Sequence, residues 1–373
     1  MKDLADAAVR LLLLIGKNVP VPAPGPLIEA LVSAEVRNHD NSRDGFQLTF
    51  TLGRTSAADY DLLASPLLDP PARVIVAVFM DGGLQVLIDG IITNHQVAPS
   101  NKAAEGSLVV TGEDISVQLD LEERRETYAN QSDSDIVTTI LGRYARFGIV
   151  PRVTPTSVRP QQNQIVPTQQ GTDLAYVQEL ARRNGFVFYI ETTPVPGATK
   201  AHWGRQDFTT APQPALTMNM GVATNVESLN FSFNALGPAT PMINILEPTT
   251  RLLIPVPVPS GLRPPLSRRQ AESLRRTRPA DTANLEPAQA AVAAAATATA
   301  SADAVTASGQ LDAVRYGHVL RARRLVAVRG VGDTYDGAYY VKEVTHRIKR
   351  GEYKQIVSLS REGRGTLTPL VVP

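Results

Sequence analysis

The chain has 373 residues, which is enough for two or three domains with cores of their own. It carries 37 basic and 36 acidic residues, so no overall electrostatic field attracts nucleic acid or an anionic membrane. The sequence contains no cysteine, which excludes disulfides, thiolate metal sites and cysteine catalysis.

The first predicted element is the apolar run Leu11–Ile15. Asp3 and Asp6 lie where a signal peptide would be basic, and Arg10 shortens the apolar run. We therefore expect a first β-strand rather than a signal peptide, and a protein made and folded in the cytoplasm. No window is long and apolar enough to cross a bilayer, so no membrane anchor is expected.

Residues 1–118 are predicted to form a β domain. Asp81-Gly82-Gly83 indicates a hairpin, and Asp89-Gly90 indicates a turn or a bulge. One short helix is expected near Ser56–Leu63. Seven short strands with a single helix are typical of a barrel or a sandwich. The predicted strands are Leu11–Ile15, Ile28–Val36, Phe46–Leu52, Val74–Phe79, Leu84–Asp89, Ile91–Val97 and Ser107–Thr111.

Residues 119–225 are predicted to form an α+β middle domain. Ser132-Asp133-Ser134-Asp135 offers N-cap oxygens and early negative charge, and Gly148 suits the end of the helix that follows. Its apolar positions are Ile136, Ile140, Tyr144 and Phe147, which recur at helical spacing.

The stretch Gln169–Glu191 predicts a second helix followed directly by a strand. Thr172 or Asp173 caps the helix, and Asn184-Gly185 ends it. The apolar stripe consists of Leu174, Val177, Leu180 and Ala181. The strand carries Phe186, Phe188 and Ile190 on one face and Val187, Tyr189 and Glu191 on the other, so both faces must be covered.

Residues 226–364 are predicted to form a second β domain, with a Pro/Arg/Ala-rich insert at about 255–310, and residues 365–373 form a tail. Pro255–Pro265 is expected to be extended, whereas residues 289–308 fit either a helix or a mobile linker. Asp336-Gly337 repeats the Asp-Gly pair at Asp89-Gly90, which suggests a duplicated β unit. The predicted strands are Leu229–Phe233, Leu325–Arg329, Tyr339–Ile348 and Tyr353–Ser360.

An arginine cluster lies inside the insert. It fits either contact with an acidic partner or nucleic acid, or a solvated helix face diluted by Glu272 and Asp281. No aromatic residues are interleaved for base stacking, so stable nucleic-acid binding is not expected. The cluster consists of Arg263, Arg268, Arg269, Arg275, Arg276 and Arg278.

No motif for catalysis, a metal or a cofactor stands out. The five histidines are not paired at metal-ligand spacing, and neither a phosphate-binding loop nor a serine nucleophile motif is present. Glu113-Asp114 and Glu122-Glu123 are adjacent pairs, and neighbours on a strand point to opposite faces. The histidines, expected to be structural or exposed, are His39, His95, His202, His318 and His346.

Three segments resemble the tail hub family, the phage late control protein D group that is related to the hub portion of VgrG proteins of type VI secretion. They are Tyr128–Ile149, Val166–Glu191 and Asp336–Gly363. In that family a polar-capped helix with an apolar stripe ends at a glycine and leads into an aromatic strand. The closing strands carry a histidine and a final arginine, here His346 and Arg361.

The resemblance implies a mainly β fold with two tube-like β-barrel domains and a helix-containing hub domain. It implies a structural baseplate hub, with neither catalysis nor a cofactor, in a contractile injection system or phage tail. A homotrimer would join the sixfold inner tube protein to a threefold spike among other baseplate components. Because the sequence stops at Pro373, the spike is expected to be a separate protein. Residues expected in the core or at interfaces are Thr172, Asp173, Leu174, Leu180, Gly185, Phe186, Phe188 and Ile190.

Two other functions fit parts of the pattern. A tail-associated cell-wall-degrading enzyme would need a glutamate-bearing helical domain, and no insert of that kind is visible. A carbohydrate-binding adhesive β protein would need exposed aromatic residues, and the chain has one tryptophan, Trp203. The sequence leaves open whether a phage, a tailocin, a type VI-like system or an extracellular particle is served.

Overall fold

The fold is mainly β. The computed structural model describes residues 9–17, 19–53, 60–80, 82–100, 102, 105–159, 166–246, 253–258, 263–278 and 287–367. Within these ranges, strands that pair mostly in antiparallel fashion alternate with five α-helices and short 3-10 turns.

The strands predicted in the first 118 residues are present, except that two of them form a single strand. The structure joins the predicted strands Leu84–Asp89 and Ile91–Val97 into one strand, and Asp89-Gly90 is neither a turn nor a bulge. Asp89 accepts two hydrogen bonds from the Arg73 guanidinium at 2.7 Å, and a Cβ at Gly90 would lie 2.3 Å from the Glu113 carbonyl oxygen. The strands are β1 (Arg10–Gly16), β2 (Val21–Pro22), β3 (Leu31–His39), β4 (Gly45–Thr51), β5 (Arg73–Met80), β6 (Gly83–Ala98) and β7 (Ser107–Asp114).

A short helix, α1 (Gly25–Ala30), occupies the start of the segment predicted as the strand Ile28–Val36. Pro26 lies in the first turn of α1, where its missing N–H leaves no intrahelical hydrogen bond unmade. The helix predicted near Ser56–Leu63 falls partly outside the described residues, and the described part, 60–63, is a turn rather than a helix.

Both helices predicted in the middle of the chain are present. α2 (Asp133–Gly142) begins with a capping box between Ser132 and Asp135, and a 3-10 turn then leads to the left-handed Gly148. α3 (Asp173–Arg183) has Thr172 as its N-cap. The strands are β8 (Glu123–Thr127), β9 (Ile149–Val153), β10 (Thr168–Thr172), β11 (Val187–Thr192), β12 (Thr199–Gly204) and β13 (Gln213–Thr217).

The last part of the chain contains the remaining strands and two helices. The alanine-rich stretch forms α4 (Pro287–Ala300), so the helix interpretation holds to residue 300 and a strand follows it. α5 (Ala313–Tyr316) is short. The strands are β14 (Ser228–Phe233), β15 (Ala239–Leu246), β16 (Leu253–Pro257), β17 (Arg269–Gln270), β18 (Arg275–Thr277), β19 (Val305–Asp312), β20 (Leu325–Arg329), β21 (Gly337–Lys349), β22 (Glu352–Arg361) and β23 (Gly363–Arg364).

The arginine cluster does not lie on a helix. Its exposed members lie on or beside β17 and β18, whereas the Arg263 guanidinium is buried against Asp303 and Glu362. The interpretation as a solvated helix face is therefore wrong, because part of the cluster forms a buried ion pair and the rest lies on short strands.

One sheet of thirteen strands joins the two ends of the chain. Its order is β14-β19-β22-β21-β3-β4-β7-β6-β5-β1-β2, with β20 on β21 and β13 on β20. The link is the antiparallel pairing of β21 with β3, in which Glu343 faces His39 and Lys349 faces Ser33. A smaller sheet, β11-β12-β9, supports the middle of the chain.

Three large hydrophobic clusters lie along this frame. The N-terminal core consists of side chains between Leu13 and Val110, joined by Ala313, Ile348 and Tyr353 from the other end of the chain. The middle core lies between α2, α3 and the small sheet. The C-terminal core is formed by side chains between Leu216 and Leu359. Charged and polar side chains lie where these three cores approach one another.

Candidate functional site

The predicted cap residues of α3 lie in a buried network of charges. Thr172 Oγ1 accepts from the Ala175 amide at 3.2 Å and donates to Asp120 Oδ1 at 2.7 Å. Asp173 is fully buried and accepts from Gln169 Nε2 at 2.7 Å and from the Tyr144 hydroxyl at 2.8 Å. Burial and the hydrogen bond to Asp173 raise the pKa of Tyr144 to about 12, so its hydroxyl stays a donor at neutral pH.

Arginines compensate the buried charge of Asp173. Arg143 Nη1 lies 3.4 Å from Asp173 Oδ1, and Arg124 Nε lies 3.6 Å from Asp173 Oδ2. Arg143 also pairs with Glu126, whose pKa this hydrogen bond lowers. The network ties α2, α3 and β8 together, which makes the middle of the chain one rigid unit.

The apolar members of the predicted set pack into the middle core. Leu174, Leu180 and Ile190 are buried, while Phe186 and Phe188 are half-buried against the same core. The Phe186 ring meets the Trp203 ring edge-on at 4.9 Å, and the indole N–H of Trp203 donates to the Val177 carbonyl at 3.1 Å. Their core role follows from these contacts, whereas a role at subunit interfaces stays a prediction.

Gly185, the predicted helix stop, has φ +65°. A Cβ at this position would lie 2.9 Å from Ala296 Cβ and 3.5 Å from Val292 Cγ1, both on α4. The alanine-rich helix of the insert therefore packs directly on the turn between α3 and β11. Sequence reasoning missed this contact, since nothing in the insert indicates which surface it covers.

A cavity of about 960 Å³ opens where the three cores meet. The tips of β3, β4 and the β5–β6 hairpin line one side, and β11 and β12 line another. The third side is the segment 318–324, which leads into β20. Its lining combines arginines, carboxylates and half-buried rings, so it is the strongest candidate binding region in the described part of the chain.

Arg323 holds the three sides of this cavity together. Its guanidinium donates to Asp44 at 2.6 and 3.1 Å and to the carbonyl oxygens of His39 and Ile190. Its Cζ lies 4.4 Å from the centre of the Tyr189 ring. Arg323 also has φ +64°, an unfavourable backbone conformation for a side chain with a Cβ. The positive φ of Arg323, whose guanidinium reaches β3, β11 and the residue before β4, is a feature that the sequence does not reveal.

A buried polar cluster around His346 lies next to Arg323. The imidazole Nδ1 lies 2.8 Å from the Tyr353 hydroxyl and 3.1 Å from Gln355 Nε2, and Nε2 lies 3.1 Å from Asn38 Oδ1. Burial, reinforced by the charge of Arg321, lowers the pKa of His346 to about 3. The resemblance singled out this histidine, and here it links β21 to β3.

Asp114, which lies behind the cavity residue Asp44, is a second group with a shifted pKa. Asp114 is buried and accepts from the Ser116 and Asp44 amides at 2.8 and 2.9 Å. Burial and the nearby charge of Asp44 raise the pKa of Asp114 to about 6. Within the described ranges, however, no group of three or more histidine, aspartate or glutamate side chains could hold a metal ion.

The polar side chains around the cavity can bind a ligand, and their hydrogen bonds hold the surrounding strands together. The other histidines make local contacts: His95 Nε2 contacts the Leu68 carbonyl, and His202 Nε2 lies 3.1 Å from the Arg205 carbonyl. No helix in the described part of the chain combines the length and hydropathy needed to cross a membrane.

Solved structures of tail proteins share this fold along almost the whole chain. A tail protein from Neisseria meningitidis is 12% identical, with 96% of this chain and 98% of that chain covered at a TM-score of 0.63. A 43 kDa tail protein of a Shewanella oneidensis prophage is 14% identical, with 95% and 99% covered at 0.64. An Escherichia coli component of the type VI secretion system is 13% identical, with 92% and 77% covered at 0.54. The chain thus has the fold of phage tail and type VI tail proteins.

Sequence comparison gives a different and shorter match. The family model for the Alg8 N-terminal domain matches residues 29–205, which is less than half of the chain and crosses from the N-terminal core into the middle core. No curated protein matches the chain in sequence. The fold is therefore defined by the structural likeness along the full length.

Proposed function

We propose that this protein is a structural component of a phage tail or contractile injection particle, and specifically its baseplate hub. The observation that carries the proposal is the likeness to tail proteins over 95–96% of the chain at TM-scores of 0.63 and 0.64. The three resembling segments support the hub in particular, because they supply α2, α3 with β11, and the strands β21 and β22.

In this proposal the two ends of the chain, residues 1–118 and 226–364, are two tube-like units, and the middle region 119–225 is the hub domain that joins them. Three chains would then offer six such units to a sixfold inner tube and a threefold face to a spike protein. The pairing of β21 with β3 supports this role, since a load on one end passes to the other through backbone hydrogen bonds. Trimer contacts of this kind bury on the order of 2,000–5,000 Å².

The proposal is tested by the mass of the purified protein and by imaging. We expect mass photometry to show a trimer, alone or after addition of its spike protein. We expect electron microscopy of particles with this chain labelled to place the label between tube and spike. A monomer under every condition, or a label elsewhere on the particle, would contradict the hub.

Phe188→Asp tests the predicted interface residues. Phe188 is half-buried, so part of its ring is free to contact another subunit, and an unpaired carboxylate there costs several kcal/mol. We expect the variant to lose the trimer while keeping its far-ultraviolet circular dichroism. The matched control is Val222→Asp at a fully exposed position, which should stay trimeric. An intact Phe188→Asp trimer would remove this residue from the interface.

The two other functions make different predictions. A cell-wall-degrading enzyme would release fragments from purified peptidoglycan, and an adhesive protein would be retained on immobilised glycans. We expect neither result, and either one would replace the hub by the corresponding function.

A further inference from the structure

The cavity at the junction contains more arginine than its carboxylates neutralise. Arg323 pairs with Asp44, and Arg324 pairs with Glu191 at 2.9 Å. Three more arginines line the cavity without an ion pair to any described residue, and they are Arg152, Arg205 and Arg321. The cavity is therefore lined by five arginines and three carboxylates, Asp44, Glu191 and Asp207, which leaves an excess of two positive charges.

The third cavity carboxylate, Asp207, offsets one of these charges but forms no ion pair with an arginine of the described residues. Asp207 accepts hydrogen bonds from the amides of Thr209 and Thr210 at 2.9 and 3.0 Å and from both hydroxyls. These bonds lower the pKa of Asp207 to about 2, and they hold the carboxylate within its own turn. Because Asp207 is already ionised at neutral pH, the cavity keeps an excess of two positive charges there.

Arg321 is the most desolvated member of the set. Its guanidinium donates to the Val86 carbonyl at 2.6 Å and to Gln85 Oε1 at 2.9 Å, both uncharged acceptors. Burial lowers its pKa accordingly. A cation removed from water without a counter-charge is costly, and an anion that enters the cavity recovers part of that cost.

The aromatic groups of the cavity are already in use. Tyr189 and His202 stack at 4.7 Å, and the Arg323 guanidinium lies 4.4 Å from the Tyr189 centre. Phe208 packs against Tyr340 and Arg263. Tyr189 and Phe208 are thus already packed against other rings within the protein, whereas single-stranded nucleic acid depends on free aromatic faces.

We propose that this cavity binds an acidic peptide segment of a partner protein through Arg152, Arg205 and Arg321. Guanidinium groups hold carboxylates through paired, charge-assisted hydrogen bonds. The three arginines come from β9, from the segment after β12 and from the segment before β20, so a ligand that contacts all three joins separate elements of the chain. A volume of 960 Å³ accommodates several residues and far exceeds a single phosphate ion. The cavity is complete in one chain, so this binding is independent of the hub assembly.

The test is fluorescence anisotropy with dye-labelled hexaglutamate and the purified full chain. The variant is Arg152→Gln with Arg205→Gln, because both side chains are exposed and their loss spares the fold. We expect it to weaken hexaglutamate binding by about tenfold. The control is Arg276→Gln with Arg278→Gln, which removes the same charge from exposed positions of the insert and should change binding by less than about twofold.

The other outcomes overturn the proposal. Equal losses in both double variants would indicate general charge attraction, and a larger loss in the insert variant would place the acidic partner on the arginine cluster instead. Tighter binding of a labelled oligonucleotide would point to nucleic acid. Displacement of hexaglutamate by inorganic phosphate, but not by sodium chloride at equal ionic strength, would point to a free anion. Absence of hexaglutamate binding to the unmodified chain would reject the site altogether.

Discussion

His346 shows how one buried side chain makes the stability of the protein depend on pH. Its ring is fully buried among Asn38, Tyr353 and Gln355, so the folded protein resists protonating it. Burial lowers its pKa to about 3, whereas a histidine in an unfolded chain titrates near 6.5. Between these values the unfolded chain binds a proton that the folded chain excludes. The free energy of unfolding therefore falls as the pH falls through this range.

The variant His346→Gln tests this dependence. We expect the unmodified protein to lose up to about 1.4 kcal/mol of unfolding free energy per pH unit below 6.5 through this group, and the variant to lose that component. Urea unfolding at pH 7, 6 and 5 measures it. Tyr353→Phe, the control, removes a hydrogen bond but keeps the buried imidazole, so it should lower stability at every pH with an unchanged slope. Parallel pH dependences of His346→Gln and the unmodified protein would contradict the assignment.

At the scale of elements, α3 could be predicted because all its signals are local. The Thr172 cap, the apolar stripe and the Gly185 stop lie within fourteen residues, and the structure places the helix between them. α1 was missed because Pro26 and Leu27 precede a run that also suits a strand. β6 was divided in two because Asp89-Gly90 is a typical turn pair, whereas here Asp89 pairs with Arg73 across the sheet.

The contact between α3 and α4 gives a prediction about the insert. Gly185→Ala introduces a methyl group 2.9 Å from Ala296 Cβ at a residue whose φ is +65°. We therefore expect the free energy of unfolding to fall by about 1–3 kcal/mol. Thermal unfolding and proteolysis of α4 measure the loss and its location. The control, Gly142→Ala, lies at the end of α2 with open space around it and should be neutral or stabilising by up to about 1 kcal/mol. An unchanged Gly185→Ala protein would show that α4 does not pack there.

At the scale of the whole molecule, Arg323 couples segments that are distant in sequence. Arg323→Gln leaves the Asp44 carboxylate, which is 6% exposed, without its charged partner beside Asp114. We expect the free energy of unfolding, measured with urea, to fall by about 3–5 kcal/mol. Arg37→Gln, the control, removes two ion pairs, to Glu35 and Glu343, of an arginine that is 59% exposed, and should cost less than about 1 kcal/mol of unfolding free energy. Similar losses of unfolding free energy in the two variants would show that Arg323 stabilises the protein no more than an exposed arginine does.

The arrangement of the three cores could not be predicted from the sequence. The mainly β class and the helical middle follow from local patterns, but nothing local indicates that β21 pairs with β3. The cavity could not be predicted either, since Asn38, Tyr189 and Arg321 line it from parts of the chain that are far apart in sequence. The sequence therefore predicted the helix-turn-strand of the middle region. It did not predict the charged cavity at the junction.

The pairing of β3 with β21 also has a consequence for biosynthesis. About three hundred residues separate the paired positions His39 and Glu343. At roughly 5–20 residues per second, the ribosome needs on the order of 15–60 s to supply the missing neighbour after β3 has emerged. During that interval the nascent chain carries an uncovered row of backbone donors and acceptors, which invites association with other nascent chains. Its yield in cells should therefore depend on chaperones that shield this strand until translation is nearly finished.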